Sequence, residues 1–303
     1  MRIAINGNRH QEGHFEEIDR LVTTLMQRGD YIVMAEPFID YLSSHLGNRF
    51  ATGIDYLPLS TPPTADIAIS IGGDGAFLKT ARWVGEREIP VAGINTGNLG
   101  YLSAFTFEHS EEIYNLLLNG HYRVEHRSLL SARITGSGAD ASPRQLIALN
   151  ELAITRGDHA AMLNISAIID NSSSLDYVGD GLIISTPTGS TAYNLSVGGP
   201  ILDPELAGWV LSPIAAHSLS MRPLVVRDNA VIDITVNTRA NSYRLAADGK
   251  SVTLPLQARL KITRAPYAVN LILQPDHTFT DTLREKLGMG TNLRKKDKGN
   301  GDR

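Results

Sequence analysis

The chain has 303 residues, 42% hydrophobic and 20% charged, with a formal net charge of −4. That length allows one large domain or two ordinary ones with buried cores, and the acidic balance gives no bulk attraction to nucleic acid or a membrane surface. The absence of cysteine excludes disulfides, thiolate zinc sites and a cysteine nucleophile, and it suits a reducing compartment.

The opening "MRIAINGNRH" has too short an apolar run for a signal peptide. No stretch of roughly twenty apolar residues runs uninterrupted, so no spanning helix is expected. The expectation is a cytoplasmic protein with neither nucleic acid nor membrane as partner. Arg2 to Gly7 reads as a short strand ending in glycine. From Glu16 the spacing predicts a helix with Ile18, Leu21, Val22, Leu25 and Met26 on one face, stopped by Gly29. "YIVMAE" follows as a strand and "FIDYLSSHL" as a helix. "DIAISI", Asp66 to Ile71, has the unbroken apolar interior of a parallel strand covered on both faces. Ala76 to Val84 reads as a helix, Ile89 to Asn95 as a strand, and "SEEIYNLLLNG" as a helix from an Ser110 N-cap to Gly120. This alternation predicts a doubly wound, Rossmann-like α/β domain.

The texture changes near Tyr122. "YRVEHRSLLSARIT", "LIALNELAITRG", "MLNISAIID", "LVVRDNAVIDITVNT", "YRLAADGKSVTL" and "ARLKITRA" are short β-rich runs separated by turn residues. Thr135 to Gln145 reads as a polar surface loop, "TFTDTLREKLG" as a last helix, and "LRKKDKGNGDR" as a solvated tail. The expected organisation is an α/β domain over residues 1–121, completed by 271–303, and an all-β, sandwich-like domain over 122–270.

Candidate chemistry sits in four places. In "IGGDGAF", Gly72, Gly73 and Gly75 clear space where a parallel strand meets a helix, a common ligand position in open sheets. Exposed N–H groups there favour phosphate. Asp74 then stands as an anomaly, because a carboxylate repels phosphate unless it holds a metal, accepts a proton or bonds a ribose hydroxyl. A tight turn with Asp74 as helix N-cap is the plainer alternative. "GINTGNLGYL", Gly93 to Leu102, is either a second ligand-facing loop or a Gly-rich turn between domains. "GDGLIISTPTGSTAYNLSVGGPIL" crowds hydroxyls and glycines into one run, the groups that bond phosphate, ribose and base edges. "LNELAI" places Asn150 and Glu151 in an apolar strand, on opposite faces. A buried amide or acid needs partners; a ligand supplies them, or the strand is an edge with one wet face. The histidines do not cluster at metal-ligand spacing, and "GxxxxGK[ST]", "GxGxxG" and "GxSxG" are absent.

Together, GGDG after a strand, the Asn-Glu pair, "STPTGSTAYNLSVGGPI" and "HSLSMRPL", in that order, resemble the bacterial NAD kinases across roughly Asp66 to Asp248. The resemblance implies ATP-dependent phosphorylation of NAD on the 2′-hydroxyl of its adenosine ribose, with Mg²⁺ or another divalent ion accompanying ATP, in a homo-oligomer (dimer or tetramer). It implies Asp74 as the catalytic acid–base group, with Gly72, Gly73, Gly75 and Lys79 at the ligand. It further implies Asn150, Glu151, Asp180, the segment Thr191, Ala192, Tyr193, Asn194, Leu195 and Ser196, and Ala215 as nucleotide-binding positions. Four positions depart from the family pattern: Ala76 replaces a threonine, Ala215 and Ala216 precede His217 where a proline is common, and Val178 replaces a basic residue. The rivals are a lipid or sugar kinase sharing GGDG, and a non-catalytic nucleotide sensor.

Overall fold

The structure, a computed structural model, describes residues 1–47, 50, 52–97, 100–107, 113, 116–117, 119–136, 144–157, 161–218 and 220–290. Ser110, most of the helix expected after it, most of the polar loop before Gln145 and the charged tail lie outside the described residues. No helix among those described is long and apolar enough to cross a membrane.

The chain forms two compact units. One comprises Met1–Trp83, Pro90–Val124 and the segment from Ile272 on; the other comprises Val84–Ile89 and Glu125–Leu271. The first holds β1 (Arg2–Gly7), α1 (Phe15–Gln27), β2 (Tyr31–Ala35), α2 (Glu36–Leu46), β3 (Asp55–Leu57), β4 (Ile67–Ile71), most of α3 (Asp74–Val84), β5 (Val91–Asn95) and β6 (Phe105–Thr106). Its strands run parallel in the order β5-β4-β1-β2-β3, with β6 beside β5. All five residues of β4 are buried, as a strand covered on both faces requires. In α1, Ile18, Leu21, Val22 and Leu25 are buried, whereas Met26 is 37% exposed. Met26 sits at the margin of the apolar stripe, one position round from Leu25.

α3 begins at Asp74 rather than Ala76, so the acid is already inside the first helical turn. Just after α3, Glu88 turns the chain in a left-handed conformation (φ 51°). Its Oε1 accepts from Ala268 N at 2.8 Å and its carbonyl from Asn270 Nδ2 at 2.6 Å, which ties this short link into the second unit.

The second unit is built from β7 (Arg123–Thr135), β8 (Arg144–Ala148), β9 (Glu151–Arg156), β10 (Leu163–Ile169), β11 (Leu175–Gly179), β12 (Gly181–Ser185), β13 (Gly208–Ile214), β14 (Leu224–Arg227), β15 (Ile232–Thr238), β16 (Ser242–Ala247), β17 (Lys250–Pro255) and β18 (Arg259–Leu273). "LVVRDNAVIDITVNT" is two strands, β14 and β15, because Asp228 to Ala230 form a turn. One sheet runs β14-β13-β12-β9-β16-β17; the other joins β11-β10-β15-β18, with β7 pairing β18 and β8. The two sheets share one core, with Leu130, Ile165, Ile234 and Ile262 from one and Leu182, Ile184, Trp209 and Leu245 from the other. The unit is therefore a sandwich, each strand turning alternate apolar residues inward. Burying each such side chain contributes about 1.5–3 kcal/mol. The last residues of β18, Ile272 and Leu273, return the chain to the α/β unit, followed by a C-terminal helix, Phe279–Leu287.

Candidate active site

In the α/β unit, β4 delivers the chain into Gly72, whose φ of 129° is closed to ordinary side chains. A Cβ there would also meet Ala76 and Asn8 at 2.9 Å. Gly73 and Gly75 differ: nothing lies within 4 Å of where their Cβ atoms would sit. The room they leave is open, as a ligand-facing turn needs.

Asp74 does not cap its own helix. Its Oδ2 accepts from Tyr101 N at 2.9 Å and its Oδ1 from Leu102 N at 3.0 Å. The loop that supplies these amides is laced to the same turn, since Ser103 Oγ donates to the Gly72 carbonyl at 3.2 Å. Gly93 lets that loop lie on β5, because a Cβ there would be 2.8 Å from the Leu102 carbonyl and from Ser103 Cα. Gly100 is tighter still: a Cβ would sit 1.9 Å from Asp74 Oδ1. "GINTGNLGYL" is thus the clamp that aims the acid; Asn98 and Leu99 within it lie outside the described residues. A carboxylate has about four acceptor directions, so the clamp leaves others for a ligand hydroxyl. Burial and then the Asp74 carboxylate push the Tyr101 phenol above its ordinary range. Lys79 is exposed on α3.

In the sandwich unit, Asn150 is a bend residue, one position before β9 begins at Glu151. It is therefore not a strand residue, and alternation does not set its direction. Asp248 does, at the turn between β16 and β17. Its Oδ2 accepts from Leu149 N at 2.9 Å, and its Oδ1 from Asn150 N at 2.8 Å and Glu151 N at 3.3 Å. Asp248 adopts φ 46° and Gly249 φ 78°, the two left-handed positions of a tight hairpin. Replacing Asp248 by alanine strips the acceptor from three amides and strains the turn. We expect a loss of about 1–3 kcal/mol, read as a lower melting temperature.

Glu151 is 9% exposed, and its Oε2 is buried with no partner among the described residues. Burial, and then the Asp248 carboxylate, push its acid up to about 7, against a backbone bond from Tyr193 that pulls it down. A carboxyl raised this way adds stability that is complete below about 4.5 and lost as pH rises through about 7. Glu151→Gln removes the ionised state. Its melting temperature should match the parent near pH 4, exceed it increasingly as pH rises from about 4.5 to about 7, and hold that lead above it; a constant offset from pH 4 to 8.5 would contradict the assignment.

The hydroxyl-rich run divides into two populations. Thr186 Oγ1 donates to the Leu149 carbonyl at 2.5 Å and accepts from Gly189 N at 3.0 Å. Ser190 Oγ accepts from Leu202 N at 3.0 Å. Asn194 is fully buried: its Nδ2 donates to the carbonyls of Ser190 and Pro200, each at 3.0 Å, and its Oδ1 accepts from Ser212 Oγ at 2.6 Å. The side chain expected at the ligand in Asn194 is instead spent inside the protein, fixing the helical turn Tyr193–Ser196. Thr191, Ala192 and Leu195 are half-buried, and Tyr193 and Ser196 exposed. Gly189 brings this turn onto the Asn150 backbone, where a Cβ would lie 2.0 Å from the carbonyl oxygen. Asn150, Glu151 and the Thr191–Ser196 segment are therefore held together.

Asp180 and Ala215 are not part of that group. β12 pairs Ser185 with Glu151 and Gly181 with Ile214. Asp180 thus lies beyond the opposite end of the strand, roughly 17 Å away along it. It pairs with Arg156 at 3.3 Å. Ala215 is exposed, with a left-handed φ of 46°. Gly179 and Gly181 are there for backbone crossings, their Cβ positions lying 2.8 Å from the Ile214 carbonyl and 2.2 Å from that of Ile154. Arg127 was not among the sequence-derived candidates. It is buried, ion-paired with Glu125, and donates to Thr188 Oγ1 at 3.3 Å. Opposite charges two apart in a β run, on one face, are the signal that marks it.

One unit carries an acid aimed from a glycine turn at a parallel-strand end, the other a buried polar cluster with an unsatisfied carboxyl oxygen, and the chain is thus of the α/β plus all-β class. Family models described as the ATP-NAD kinase N-terminal domain and C-terminal domain match residues 3–122 and 149–274. An NAD kinase from Bacteroides fragilis is 40% identical over 294 residues, spanning 97% of this chain and all of that one. One from Porphyromonas gingivalis is 38% identical over 293 residues, 97% and 99% of the two chains. The chain belongs to the ATP-NAD kinase family and is an enzyme, a kinase of NAD. The fold is also that of a yeast NADH kinase solved with NADH (TM-score 0.87, 22% identity, 97% of this chain and 89% of that one). An Archaeoglobus fulgidus NAD kinase solved with ATP shares it at a TM-score of 0.67 and 23% identity, covering 95% and 97%.

Proposed function

We propose that Asp74 accepts the proton of the adenosine-ribose 2′-hydroxyl of NAD as the γ-phosphoryl group of ATP is transferred to it. The new bond is 2′-oxygen to phosphorus, the broken bond is phosphorus to the ADP oxygen, and the proton goes to Asp74. The observation that carries this reading is the clamp: two backbone amides fix both carboxylate oxygens beside open glycine positions. A ribose hydroxyl is a weak nucleophile, and a placed base contributes about a hundred- to ten-thousand-fold. The amides of Gly72 to Gly75 are suited to the charge spreading over the phosphoryl oxygens. A divalent ion accompanies the ATP substrate and neutralises its phosphates.

Asn150, Glu151, Thr191, Ala192, Tyr193 and Ser196 bind NAD, with Leu195 and Asn194 shaping the turn. Lys79 supplies a solvent-side cation to the same substrate. The domains are residues 1–121 with 271–303, and 122–270. Asp180 and Ala215 stand at the far end of β12 from Glu151. A homo-oligomer in which that end of one subunit serves the NAD of another reconciles their spacing with a nucleotide-binding role. The compartment is the cytoplasm. Incubation with ATP, Mg²⁺ and NAD, followed by assay with an NADP-specific dehydrogenase, tests the reaction; absence of NADP alongside phosphorylation of a lipid or sugar would overturn it.

A further inference from the structure

Lys286 stands on the C-terminal helix, Phe279–Leu287. Both ends of that helix are capped. Asp281 N donates to Thr278 Oγ1 at 3.2 Å and Thr278 N to Asp281 Oδ2 at 3.1 Å, a reciprocal capping box, and Gly288 ends the helix at φ 64°. From there the half-buried Lys286 holds its Nζ out of solvent contact, with no hydrogen-bond partner among the described residues. It lines a cavity of about 250 Å³ together with Gly100, Tyr101, Ser103, His277 and Thr282. One wall of that cavity is therefore the loop whose amides hold Asp74. All of these residues belong to the α/β unit.

A buried ammonium without acceptors is costly, and buried polar groups in folded proteins normally have partners. Methionine would fill the same helix position without that cost. Burial lowers the proton affinity of Lys286, and of the charges that hold it up, the Asp74 carboxylate outweighs the neighbouring Glu285. Asp74 cannot serve as its missing partner, because the Nζ makes no bond to it. Glu285 also lines the cavity, but the Nζ bonds neither carboxylate, and the anion that arrives beside Asp74 in this reaction is a phosphoryl group.

We propose that Lys286 is a further catalytic residue, its ammonium contacting the oxygens of the phosphoryl group passed from ATP to NAD beside Asp74. This rests on the reading of Asp74 as the acceptor of the hydroxyl proton. An ammonium offers three donors and a full charge, and such a group acts most strongly where charge develops in a dry site. The same contact distinguishes product from substrate, because only NADP carries the 2′-phosphate.

The test uses the full-length protein with Lys286→Met and Lys286→Arg. Lys286→Met should lower kcat about a hundredfold. By calorimetry, its NAD affinity should stay within about twofold while its NADP affinity falls about tenfold or more, as expected for losing a hydrogen bond to a charged group. Taking the NADP-to-NAD affinity ratio in one preparation removes any effect of partial misfolding. Lys286→Arg, which keeps the cation, should recover part of both losses. An unchanged ratio and kcat in Lys286→Met would overturn the proposal, as would equal losses in Met and Arg variants. Asp74→Asn run in parallel separates the two readings. If it is inactive while Lys286→Met keeps kcat and ratio, the lysine assignment alone fails. If it is fully active, the Asp74 assignment fails, whatever Lys286→Met does.

Discussion

Asp74→Asn is expected to fold normally and bind NAD, yet to lose about 10²- to 10⁴-fold in turnover. The substitution keeps shape and nearly keeps volume. The carboxylate's two bonds come from Tyr101 N and Leu102 N. Asparagine retains one acceptor oxygen for them and turns an NH₂ toward the other amide. The clamp is therefore weakened by about one hydrogen bond, about 0.5–1.5 kcal/mol, which a folded unit of this size tolerates. What it cannot do is take a proton. Steady-state NADP formation, with melting curves on the same samples, checks this. A variant that melts normally and turns over like the parent would remove Asp74 from the chemistry.

Gly100→Ala is the second large effect, and it works by space alone. The alanine methyl carbon would lie 1.9 Å from Asp74 Oδ1 and 2.5 Å from Cγ. Either the acid must leave its amides or the loop must move away from the turn. Both outcomes misplace the carboxylate proposed as the base, and an error of about 1 Å can cost about a hundredfold in rate. They also leave amides without acceptors, at about 1–3 kcal/mol. The variant should thus lose activity and melt lower, while Gly73→Ala, at a position with open space, should melt close to the parent. Measured kcat and melting temperatures for the pair decide it; a fully active Gly100→Ala would mean the clamp is not needed.

Much of the fold was legible because its signals are local. The unbroken apolar run Ile67–Ile71, the helical stripe of α1 and the short alternating runs after Tyr122 each declare their element within a few residues. The candidate site stands out in the sequence where composition is unusual, at GGDG and in the hydroxyl-rich run. What escaped is non-local. Asp74 is held by amides 27 and 28 residues further on, and nothing about "NLGYL" by itself names its partner. Asp248 looks like an ordinary Asp-Gly turn, yet it organises Leu149 to Glu151 from 97 to 99 residues away. Asn194 shows the opposite failure. Its place among ligand-like neighbours suggested binding, but its amide is consumed by the carbonyls of Ser190 and Pro200 and the hydroxyl of Ser212. Polar residues in a dense run point in different directions, and only the fold sorts them.

The measurement closest to the central claim is a rapid-quench single-turnover experiment on Asp74→Asn, with NAD affinity measured by calorimetry. It isolates phosphoryl transfer from substrate binding and product release. The proton-acceptor role predicts a transfer step slowed by about 10²- to 10⁴-fold with NAD affinity within about twofold of the parent. Transfer at the parent's rate would contradict it.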